Sequence, residues 1–161
     1  MLQLPDLLKK VEDLKKSGNF DLSLEEDLSI AIMNLISLEE HFYMTAQKTG
    51  KEEYLKMHQE IRELRGQLLA KMISKHEGET WCVSKHLLAA SMRLIEVGDK
   101  YQTLGKSKEA KEMFSMAYKI YSMFWGIRLK LIKIPDLKNV AQSDSWSLED
   151  ITTQLVNCCK E

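Results

Sequence analysis

Proline is nearly missing from this chain: only Pro5 and Pro135 occur, one towards each end. The proline-free stretch of about 130 residues between them favours long uninterrupted helices, since an interior proline costs ~3 kcal/mol. Cysteine is scarce as well. Cys82, Cys158 and Cys159 form neither a disulfide framework nor a set with zinc-ligand spacing, so a reducing, cytoplasmic setting is expected. Cys82 lies beside Trp81 and is expected to pack as a small core residue. The vicinal pair, about 100° apart on a helix, does not suit a joint metal or redox site.

No run reaches the roughly 18 consecutive apolar residues of a membrane span, and "MLQLPDLLKK" lacks the basic-then-apolar order of a secretion signal. Charge of one sign is also lacking. Lys and Arg total 23 against 24 Asp and Glu, a net charge of -1 with pI near 6.4. A balanced chain carries no broad basic field, which argues against a nucleic-acid or membrane partner.

What is present is helical periodicity. A short amphipathic helix is expected at residues 5–16, with proline in its first turn. Asp21 or Ser23 can cap a long helix reaching Lys48, stopped by Gly50, with Leu24, Leu28, Ile32, Leu35, Phe42 and Ala46 as its apolar stripe. The next helix runs over 51–76 with Tyr54, Met57, Ile61, Leu64, Leu68 and Met72 on one face, ending before Gly78. Residues 79–104 are apolar on two sides, so that helix is expected to lie centrally. Residues 107–132 carry Phe114, Ala117, Tyr118, Tyr121, Phe124 and Trp125. Beyond Pro135 the polar run "KNVAQSDS" reads as a linker, and Ser147 with Asp150 can cap a short helix at 148–158.

Short turns at Gly50, Gly78 and Gly105 force neighbouring helices antiparallel. The expected fold is all-α: an antiparallel up-down-up-down four-helix bundle with short flanking helices at both ends. Residues 1–134 would form the bundle domain, and 135–161 the linker and terminal helix.

Gly98, Tyr101, Gly105, Ala110, Phe114 and Ala117 stand at one distinctive spacing. On these residues the segment 94–124 resembles a tetratricopeptide repeat, in which small residues let two helices approach closely. The family's leading tryptophan is Leu94 here and its closing proline is Ser122. The resemblance covers one hairpin, and it implies a protein-binding scaffold rather than an enzyme.

Signatures of catalysis are missing: no glycine-rich phosphate loop, no Gly-x-Ser-x-Gly, no His-Glu-x-x-His, and no Glu-x-x-His of the di-iron bundles. His58–Arg65 and His86–Arg93 reverse the Arg-then-His order of the all-α HEPN ribonucleases, which disfavours a nuclease. Polar residues on core faces are more informative. Glu39 falls within the stripe of Leu35, Phe42 and Ala46, while His58 and Arg65 flank Ile61. A carboxylate facing a core needs a partner. Reflecting positions through the turns brings Glu39 level with Ile61, then with Arg93 and Glu96, then with Ala117 and Tyr118. Glu39, His58, Arg65, Arg93, Glu96 and Tyr118 are therefore expected to share one mid-height layer, with Arg65 the main partner of Glu39.

The reading of function is a non-enzymatic helical bundle acting through a protein partner or self-association. The alternative is a small-ligand-binding or acid–base bundle using that layer. No catalytic residue, metal or cofactor is assigned.

Overall fold

The structure, a computed structural model, describes residues 21–73 and 78–132, with residues 9, 12, 13, 16 and 17 before them. The expected helices at 5–16 and 148–158, the linker and the Cys158–Cys159 pair lie outside or largely outside the described residues. Among the described residues the chain is helical, without strands. Its four long helices are α1 (Leu22–Thr49), α2 (Glu52–Met72), α3 (Glu79–Thr103) and α4 (Ser107–Arg128).

Local chemistry accounts for the ends. The Asp21 carboxylate accepts from the amides of Ser23 at 3.0 Å and Leu24 at 3.1 Å, satisfying two donors that α1 leaves free. Gly50 ends α1 at φ 67°, and its amide bonds the Ala46 carbonyl at 2.8 Å. That left-handed turn favours glycine because it has no Cβ to clash. The last helix ends before its expected limit at Ile132. After Arg128 the chain reverses at Lys130, φ 56°, and the Leu131 amide returns to the Gly126 carbonyl at 2.9 Å. The reversal carries Leu129 and Leu131 into the core.

The helices pack as two hairpins, α1 with α2 and α3 with α4, and α1 lies against α3. The core is the cluster of Ile32 and Met33 on α1, Leu69 and Met72 on α2, Leu88 on α3, and Phe124 and Trp125 on α4, together with Ile73, Leu129 and Leu131. Tyr121, Phe124 and Trp125 bring their rings within 5.6–6.1 Å of one another. Trp125 Nε1 and Ser84 Oγ are buried without hydrogen-bond partners among the described residues.

The α3–α4 contact is built on small residues. Ser84, Ser91 and Gly98 recur at seven-residue intervals on α3 and are buried, as are Ala110, Ala117 and Phe124 on α4. Ser91 and Ser122 return their hydroxyls to carbonyls of their own helix, each at 2.8 Å, and so behave as small, self-satisfied fillers. A Cβ on Gly98 would stand 2.5 Å from the Phe114 ring, which fills the space glycine leaves.

Several residues of the expected stripes face solvent: Leu24 is 65% exposed, and Met57, Leu64 and Ile95 are exposed too. Cys82 is also exposed, which corrects its assignment to the core. It sits about 160° around α3 from Ser84, at 100° per residue, on the side away from the buried face. α3, the helix expected to be central, packs against α4 and α1, and α1 has polar ties to each of the other three helices.

Candidate functional site

α1 presents three carboxylates, and each of the other helices answers one with an arginine. Glu39 faces α2. Arg65 grips it from two nitrogens, Nε to Oε1 at 2.5 Å and Nη2 to Oε2 at 3.4 Å, with the two side chains only 12% and 6% exposed. The next residue, Glu40, is turned by about 100° and meets α3. Arg93 Nη2 lies 2.5 Å from Glu40 Oε2 and 3.4 Å from Ser37 Oγ, in a more exposed setting. Near the start of α1, Glu25 receives Arg128 of α4, Nη2 at 2.9 Å and Nε at 3.0 Å. One turn further the Ser29 hydroxyl lies 2.6 Å from the Tyr121 hydroxyl and also donates to the Glu26 carbonyl.

The α1–α2 seam continues past Glu39 with aromatic contacts. Phe42 stacks on Tyr54 at 6.4 Å, and the half-buried His58 ring lies 6.4 Å from Tyr43. Burial, assisted by the neighbouring Asp27 carboxylate, raises the Glu26 carboxyl above its ordinary value.

The six candidate residues divide on this geometry. Glu39 and Arg65 are joined directly. Arg93 stands at nearly the same height but serves Glu40. His58 lies against the Tyr43 ring, one hairpin level beyond the ion pair. Glu96 is half-buried, one helical turn past Arg93. Tyr118 is at the surface of α4, 36% exposed. What the structure joins in the layer is two ion pairs on adjacent residues of α1.

Residue-level reading missed Glu25, Glu40, the tie of Arg128 to α1, and the Ser29–Tyr121 pair. For Glu25 a signal existed: Glu25, Ile32, Glu39 and Ala46 repeat every seven residues along one stripe. For Glu40 none did, because its role depends on which helix lies beside α1.

Both guanidinium groups of the layer are engaged by carboxylates. A shallow depression of about 370 Å³ on α4 is lined by Lys108, Lys111, Glu112, Ser115 and Met116, and includes none of the six candidates. Among the described residues no three His, Cys, Asp or Glu side chains are grouped to hold a metal ion. None of the described helices is long and apolar enough to cross a membrane. No protein-family model, curated protein or solved structure matches the chain.

Proposed function

We propose that this protein is a non-enzymatic helical bundle that acts through a protein partner or through self-association. The architecture we infer is an antiparallel up-down-up-down bundle with a short helix flanking each end. The observation that carries the functional reading is the placement of exposed apolar side chains. Among the described residues, and apart from Leu24 and Ile30, the exposed large apolar residues lie beside or beyond the Glu39–Glu40 level, away from the core: Tyr43, Met44, Leu55, Leu104 and Met116 are examples. Apolar surface gathered on one part of a molecule marks a contact site more often than scattered residues do. Methionine among them adapts to irregular partners.

Two further points support the reading. The tetratricopeptide-like spacing of α3–α4 implies a scaffold, as that family binds proteins. The mid-height charges satisfy one another, which leaves the small-ligand or acid–base alternative without an open group at Glu39 or Arg65.

The test is capture from the native cell by the intact protein, alongside its mass in solution by light scattering. Met44→Glu and Met116→Glu should abolish the captured partner or the self-association while leaving the thermal midpoint near its original value. A monomer that captures the same proteins with and without these changes would remove the basis for the proposal.

A further inference from the structure

We infer that the Arg93–Glu40 pair is a latch that sets how far the two hairpins stand apart at the end remote from the core. This concerns regulation of the contact surface proposed above, and rests on that reading for its purpose though not for its geometry. The polar ties seen between the hairpins fall at different heights. Glu25–Arg128 and Ser29–Tyr121 lie beside the core residues Ile32 and Trp125. Arg93–Glu40 lies eight residues beyond Ile32 on α1, roughly 12 Å at the helical rise.

Past this point several large apolar side chains stand open to solvent. Tyr43 and Met44 follow Glu40 on α1 and are 48% and 47% exposed. Ile95 follows Arg93 on α3 and is exposed, as is Met116 on α4. α1 and α3, packed together at the core, therefore leave Tyr43, Met44 and Ile95 uncovered once the latch is passed, while Ala46 and Gly98 stay buried.

The latch is weak by construction. Its side chains are 50% and 58% exposed, unlike the Arg65–Glu39 pair within the first hairpin. Exposed pairs are marginal and screened by salt, so breaking this one shifts a two-state balance by only about two- to fivefold. That range suits a contact that opens and closes rather than one that holds the fold.

Spin labels on Gln47→Cys and Ser115→Cys, exposed positions on opposite hairpins, report the separation by electron double resonance. The full chain is used, with Cys82, Cys158 and Cys159 changed to serine. Arg93→Gln and Glu40→Gln should each move population towards longer distances by about two- to fivefold. One molar salt should do the same to the parent, and the exchange Arg93→Glu with Glu40→Arg should restore the original distribution. Unchanged circular dichroism identifies the variants as folded. A distance distribution identical in the parent, both single variants and high salt would overturn the latch. Because the labels read separation and not partner capture, its failure is distinct from failure of the proposed function.

Discussion

The two hairpins use the same seven-residue spacing with opposite chemistry. In α3–α4 the mid-height positions are Ser91 and Ala117, the smallest side chains that helices can bring together apart from glycine. In α1–α2 the corresponding positions are Glu39 and Arg65, a long and almost buried ion pair. Close packing gains dispersion contacts without desolvating charge. An ion pair must recover the cost of removing both groups from water, and so it specifies a partner more than it adds stability. The second hairpin is thus held by fit, the first by recognition between two named side chains.

The largest effect should come from breaking the recognition. Arg65→Met leaves the Glu39 carboxylate buried and alone, and should cost roughly 3 kcal/mol in urea unfolding. Adding Glu39→Leu to it should recover most of that loss, since no uncompensated charge remains. Additive costs would show that the pair is not coupled, and the contrast between hairpins would fail.

Overpacking the second hairpin comes next. Ala117→Leu should cost roughly 1–3 kcal/mol, because the surrounding helices have no room for three more carbons. An unchanged urea midpoint would show that the α3–α4 contact tolerates bulk and is not held by fit.

The chain ends sharpen the comparison further. The first helix of hairpin one stops at Gly50, suited to its left-handed φ, while the last helix of hairpin two turns at Lys130 with φ 56°. Lys130→Gly should raise stability by about 1 kcal/mol, by relieving the Cβ clash at that angle. A loss on the same measurement would mean the lysine side chain makes contacts that outweigh the strain.

The smallest effect concerns Glu26, beside the paired Glu25. Its carboxyl is raised above 4.5 by burial first and by Asp27 second. The folded state therefore disfavours the ionised form. The penalty is absent below the unfolded value and complete once pH exceeds the folded value. Glu26→Gln should raise the melting temperature slightly at pH 7, with the advantage vanishing near pH 3. An equal effect at both pH values would assign it to packing instead of charge.

Much of this arrangement was legible in the residues. Asp21, Gly50 and Gly105 mark element ends by local chemistry, and those ends fall where that chemistry puts them. The Glu39–Arg65 contact was legible because a short turn fixes which positions of two helices stand level. Glu40–Arg93 was not, since no turn joins α1 to α3. The stripe of α2 misled for a similar reason. Met57 and Leu64 share helical phase with buried neighbours, yet no other helix covers them fully. Cys82 misled because adjacency to Trp81 says nothing about direction, and successive residues on a helix point about 100° apart.

The sequence by itself determined the four long helices, the ends marked by Asp21, Gly50 and Gly105, and the pairing within each hairpin. These depend on backbone geometry, capping groups and loop length, all of which act over a few residues. The tertiary structure alone decided that α1 would tie the other three helices together. It also decided that Leu131 would turn inward and that apolar groups past Glu40 would stay uncovered. Those outcomes depend on how two hairpins settle against each other, where many weak contacts compete and no short-range rule selects the neighbour.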